Sequence, residues 1–144
     1  MGKDRSKSDE YYVIDLCDEI LSMKAIRQHK FDFLLGDPDK KGRCRKLPVD
    51  AYYESLNLVI EYEERQHTEP VLIFDKPTKL TISGVPRGEQ RKIYDLRRKK
   101  VLPVHNVHLI VIPYTAFQNR KDKKILRDRS NDLIIVRQFL QSSL

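Results

Sequence analysis

Leu47 to His67 reads LPVDAYYESLNLVIEYEERQH, and its pattern decides the fold around it. Val49-Asp50-Ala51-Tyr52-Tyr53 is rich in β-prone residues, and Leu58-Val59-Ile60-Glu61-Tyr62 is a second, β-branched apolar run. Between them Glu54-Ser55-Leu56-Asn57 is a polar break of hairpin length. With those four residues as the loop, Tyr53 pairs with Leu58 and Asp50 falls opposite Glu61. Directly opposed side chains lie ~4.5–5.5 Å apart at Cβ, where two like charges destabilise a sheet unless something bridges them. Glu63, two residues beyond Glu61, projects from the same face. Glu61 also follows Leu-Val-Ile in an apolar run, where a charge is costly unless paired or bound to a metal.

With Glu69 just beyond it, the stretch gathers Asp50, Glu54, Glu61, Glu63, Glu64 and Glu69 against one base, Arg65. The whole chain carries a formal charge of +7, so the remainder sums to about +12. Carboxylates supply the hard oxygen ligands that a divalent cation takes, and a basic surround attracts a polyanion. That combination points to a metal-dependent enzyme acting on a phosphate-bearing polymer.

On these residues the chain resembles the PD-(D/E)XK nuclease superfamily. The likeness lies in an Asp near the start of one strand, an acid in the next, and the pattern I-E-Y-x-x-x-Q-H at residues 60–67. Within that superfamily it looks like the very-short-patch-repair-like endonucleases, a branch that includes phage homing enzymes, and the likeness runs from the N-terminal helix to about Phe117. It implies a restriction-endonuclease-like α/β core, a mixed sheet flanked by helices. It also implies Mg²⁺ or Mn²⁺ as cofactor, no organic cofactor, and DNA as partner. By the same resemblance Asp50 is the metal-binding Asp, and Glu61 is the acid of the next strand. Glu63 adds a ligand or orients the water, His67 stands beside the metal-bound water, and Gln66 accompanies it. The chain departs from the family at Glu63, where the signature lysine stands, and at Glu63-Glu64, where many of this branch carry Asp-Gly. Arg91 or Lys92, reaching in from a downstream helix, is expected to replace that lysine.

Working outward, Ser8 to Met23 places Val13, Leu16, Cys17, Ile20 and Leu21 at helical spacing, with Ser8 or Asp9 as cap. Asp15, Asp18 and Glu19 are its candidates for the helix acid that completes metal binding in the superfamily, with Glu19 favoured. A short element is expected at Phe31 to Leu35, then a mobile basic loop over Asp37 to Lys46. Pro86 to Lys100 reads as a helix between the Ser83-Gly84 break and Pro103. From Arg87 to Lys100 it carries seven bases against two acids, a pattern of a solvated face or of a face turned to phosphates. Arg87, Gln90, Arg91, Lys92 and Arg98 are its nucleic-acid-binding candidates. Gln90 and Tyr94, one turn apart, also resemble the Q-x-x-x-Y pair of RecB-type members. Val107 to Ile112 reads as a buried central strand. Arg120 to Arg129 is a second basic segment, with six bases and two acids, and Asp132 to Leu144 an amphipathic helix on Leu133, Ile134, Val136, Phe139 and Leu140.

The predicted order is α-β-β-β-α-β-α in one domain spanning 1–144, with residues 1–8 as a flexible lead-in and 118–144 as basic segment plus helix. No apolar run approaches the ~18–20 residues of a membrane span, and the N-terminus lacks a signal's apolar core. Two cysteines without C-x-x-C spacing argue against zinc or a redox pair and suit a reducing, cytoplasmic setting. One acid cluster per chain suits nicking by a monomer or double-strand cutting by a homodimer. Two other classes remain open. One is a nuclease fold that binds nucleic acid without cutting it, and the other an assembly protein using its terminal helix.

Overall fold

The strand pair read from residues 49–62 lies at the centre of a four-stranded mixed sheet. A computed structural model describes residues 6–64 and 79–143. Strand β1 (Ile26–Leu35), β2 (Lys46–Tyr53), β3 (Leu58–Glu63) and β4 (His108–Pro113) lie side by side in that order. β1 and β3 run antiparallel to β2, and β4 runs parallel to β3. Helix α1 (Asp9–Leu21) precedes β1, α2 (Arg87–Val104) stands between β3 and β4, and α3 (Arg129–Ser143) ends the chain. The described elements therefore follow α-β-β-β-α-β-α, the order that the hydrophobic pattern predicts.

The β2–β3 turn forms at the expected four residues. Glu54–Leu56 make one 3-10 turn, and Asn57 closes it in the left-handed region at φ 46°, which Asn tolerates. Its side chain bonds the Tyr52 hydroxyl and the Asn106 carbonyl. Pairing runs Tyr53↔Leu58, Tyr52↔Val59, Ala51↔Ile60, so the register is the predicted one.

Alternation along β3 feeds two cores. Leu58, Ile60 and Tyr62 join Val13, Ile14, Leu16 and Cys17 of α1, Ile110 and Ile112 of β4, and Val136 and Leu140 of α3. On the other face Val59 packs with Leu102 of α2 and with Leu34, Leu47, Val49 and Val107. Burial pushes the Cys17 thiol up to about 12, so it is a packing group, whereas Cys44 is exposed.

Six expectations change. β1 begins at Ile26 rather than Phe31, because Arg27 and Gln28, polar in sequence, find partners on α1: Asp15 and the Tyr11 carbonyl for Arg27, Glu10 for Gln28. α2 runs through Pro103 to Val104. A proline in the last turn forfeits only the bond to the Lys99 carbonyl there, and Val107 N–H closes the end on Leu102. α3 starts at Arg129 because Asp128 accepts from Asn131 N–H while Asp132 accepts from Asp128 N–H, a reciprocal cap. Ile134 of α3 is exposed rather than on its buried face. β4, read as central, is an edge strand among the described residues. The loop at 37–46 is organised around Asp39, whose carboxylate accepts from the N–H groups of Lys41 and Arg43. Among the described residues no helix is long and apolar enough to cross a membrane.

Removing the centre of the larger core tests this packing. Ile60→Ala, at a fully buried position, should destabilise the protein by about 2–5 kcal/mol in denaturant titration. A loss under about 1 kcal/mol would contradict the assigned register.

Candidate functional site

Asp50 lies where β2 loses its ladder on both sides. Cα pairing with β3 stops at Ala51↔Ile60, so Asp50 and Glu61 come next in register. On the other side pairing runs through Arg27↔Ala51 and resumes at His29↔Val49, skipping Gln28, which turns to φ 54°. Side chains satisfy the backbone that the ladder leaves. Asp50 N–H donates to Glu61 Oε2 at 2.8 Å, and Tyr62 N–H donates to Asp50 Oδ2 at 2.8 Å. Two opposed acids thus replace a rung of the sheet with reciprocal bonds.

A cavity of about 170 Å³ opens over this rung. Its walls carry Glu10 of α1 and Gln28 of β1, with Gln28 Nε2 donating to Glu10 Oε2 at 3.0 Å. From β3 come Glu61 and Glu63, and from α2 come Asp95, Arg98 and Lys99. Arg98 is turned inward. Its Nε donates to the Pro48 carbonyl at 3.0 Å and lies 3.4 Å from Glu61 Oε1, while its Nη1 meets Asp95 Oδ1 at 3.0 Å. Lys99 Nζ stands 3.8 Å from Glu63 Oε2, a looser and half-exposed pair.

Two of these carboxyls, Asp50 and Glu61, do not ionise as ordinary surface acids do. Burial pushes the Asp50 carboxyl well above its usual range, and the neighbouring Glu61 adds to the shift. Burial raises Glu61 as well, but the bond from Asp50 and the charge of Arg98 pull it back. Asp50, the member with no arginine beside it, is therefore the one of the pair that holds its proton to higher pH. Five carboxyls line the cavity, those of Glu10, Asp50, Glu61, Glu63 and Asp95, and carboxylate oxygens are the hard ligands that Mg²⁺ or Mn²⁺ takes. Among the described residues no three His, Cys, Asp or Glu groups are arranged to hold a metal ion as they stand. Asp50 and Glu61 are instead turned onto the backbone and each other.

The structure gathers some of the sequence candidates and disperses others. Asp50, Glu61 and Glu63 share the cavity. His67 and Gln66 lie outside the described residues. Glu19 is elsewhere, paired with Arg129 of α3. The helix acid at the cavity is Glu10, nine residues earlier and so ~2.5 turns away, on the opposite side of α1. Arg91 and Lys92 do not line the cavity; Arg98 and Lys99 do, about two turns further along α2. Arg98, expected on phosphates, is spent on Glu61 and Asp95. Arg87 and Lys92 are exposed. Gln90 Nε2 donates to the Ser83 and Tyr94 hydroxyls at 3.2 and 3.3 Å, and Tyr94 accepts from Asp37 N–H at 3.0 Å. This pair anchors the corner at Gly36, where an added Cβ would meet the Tyr94 hydroxyl at 3.0 Å.

A sequence signal for Glu10 exists. It precedes Val13, Ile14 and Cys17, all buried, by three, four and seven residues, and so stands at the start of the core stripe. No protein-family model matches the chain, and no curated protein and no solved structure matches it.

The raised Asp50 carboxyl makes stability fall with pH. Unfolded Asp ionises near pH ~4, whereas folded Asp50 keeps its proton to higher pH, so the native state loses ground as pH rises above ~4. In EDTA, Asp50→Asn should unfold at a higher denaturant midpoint than the parent at pH 8, with the gap closing toward pH 4. A gap that does not change with pH would contradict the protonation assigned to Asp50.

Proposed function

We propose that the chain is a metal-dependent DNA endonuclease that hydrolyses phosphodiester bonds, built on a restriction-endonuclease-like core. The observation that carries this reading is the pairing of Asp50 with Glu61 at an interrupted rung, above a cavity that also holds Glu63 and Lys99. The resemblance of residues 47–67 to the PD-(D/E)XK pattern supports it, as does the net basic charge of the chain.

In this reading Asp50 and Glu61 would hold the cation, and Asp50 would give up its proton to do so. A bound divalent cation supplies charge to the phosphoryl oxygens and lowers the pKa of its water. Arg98 fixes one Glu61 oxygen and holds the strand end at Pro48, which keeps the acid aimed into the cavity. Glu10, held by Gln28, adds an acidic wall from α1. Lys99, from another element, would stand in for the family's lysine. It meets Glu63, the residue standing where that lysine is expected, and its half-exposed ammonium can face a phosphate.

One observation favours a second reading, a nuclease fold that binds nucleic acid without cutting it. Both carboxylates of the pair already have partners, one of them Arg98. Cleavage of supercoiled plasmid with Mg²⁺, Mn²⁺ or EDTA separates the two. The endonuclease reading predicts metal-dependent nicking or linearisation that falls about 10²–10³-fold in Asp50→Ala and at least ~10²-fold in Lys99→Gln. DNA binding with no cleavage by the parent protein, or full metal-dependent activity in Asp50→Ala, would overturn it.

A further inference from the structure

Phosphate-gripping bases were expected on α2, but its inward face is committed to the acid cavity and to the Gly36 corner. A second basic segment is folded into a defined shape. Asn119 and Ile125 form an antiparallel bridge, and Arg120 N–H bonds the Lys124 carbonyl at 2.7 Å. Lys123 turns the tip at φ 68°, with Lys124 N–H on Asp122 Oδ1. Residues 119–125 are thus a closed hairpin whose tip reads Arg-Lys-Asp-Lys-Lys. Its base is fixed to α1: Ile125 is buried, its N–H donates to Asp9 Oδ2 at 2.9 Å, and Arg127 binds Asp9 Oδ1 and the Lys7 carbonyl.

Beside this hairpin runs an open groove of about 700 Å³ lined by Lys7, Arg120, Lys123, Lys124 and Arg127. Asp9, one of its acids, is consumed by Arg127 and Ile125 N–H. The groove and the acid cavity are neighbours. Tyr62 lines both, Asp9 lines the groove where Glu10 lines the cavity, and Glu63 and Glu64 divide between them in the same way. A solvated charge run needs none of this: no bridge, no tether to a helix, no common wall with an acid cluster.

We propose that the 119–125 hairpin and Lys7 form the seat for the DNA sugar-phosphate backbone, delivering an adjacent phosphodiester to the Asp50–Glu61 cavity. This rests on the DNA reading proposed above and adds where the strand lies. Each lysine contact with a phosphate releases a counterion, so the site has a signature in salt dependence.

The test is equilibrium binding of the full chain to a fluorescent DNA duplex in EDTA, across a salt series. Lys7→Gln, Lys123→Gln and Lys124→Gln are combined in one variant; all three positions are exposed, so the fold is not at issue. A control variant removes the same charge elsewhere through Lys40→Gln, Lys41→Gln and Lys100→Gln, also exposed. The groove variant should bind about 10–100-fold more weakly, with the slope of log K against log salt reduced by roughly 3. The control should change affinity less than about threefold. Equal losses in the two variants, or parental affinity in the groove variant, would overturn the proposal, and so would a parent that binds no DNA. Because binding is read in EDTA, a parent that binds through the groove but never cleaves defeats the nuclease reading alone. A parent that cleaves while the groove variant binds normally defeats the groove alone.

Discussion

Two hydrogen bonds, Asp50 N–H to Glu61 and Tyr62 N–H to Asp50, hold the sheet together where its ladder would otherwise fail. Buried backbone donors must find acceptors, and the nearest acceptors here are the two carboxyls that face each other. The exchange is costly, because it buries two acids side by side. Arg98 offsets the charge on Glu61, and burial raises the Asp50 carboxyl so that it ionises less readily. The rest of the cavity follows from this constraint: α2 must pass close enough for Arg98 to reach Glu61 and Pro48, and that approach brings Lys99 to Glu63.

The same constraint bears on chemistry. Two buried carboxyls facing one another favour positive charge between them, and a hard cation would supply it. A groove of the opposite sign, sharing Tyr62 with the cavity, gives the molecule an acidic centre beside a basic track. This juxtaposition explains how a strongly basic chain accommodates its acidic stretch without dispersing it.

The β2–β3 pair was legible because alternation and a four-residue polar break fix register locally, and register alone puts Asp50 against Glu61. Helix partners were not legible to the same degree. Periodicity gave α1 its length, but the choice among its acids depends on which side meets the sheet, and the buried stripe of Val13, Ile14 and Cys17 points to Glu10, not Glu19. On α2 the bases that line the cavity, Arg98 and Lys99, lie about two turns beyond Arg91 and Lys92, since sequence does not say where a helix crosses a strand end. The polar first half of β1 reads as loop because its residues are stabilised by α1 rather than by the core. Among the described residues β4 lies at the edge rather than the centre, since an apolar run looks alike in both positions when a helix covers it.

Whether Asp50 exchanges its proton for a cation is measured directly by calorimetric titration with Mg²⁺ or Mn²⁺ at neutral pH, in buffers of different ionisation enthalpy. Metal binding that releases about one proton per cation, with binding lost in Asp50→Asn, is the predicted result. Binding without proton release, or binding that survives Asp50→Asn unchanged, would contradict the central role given to this pair.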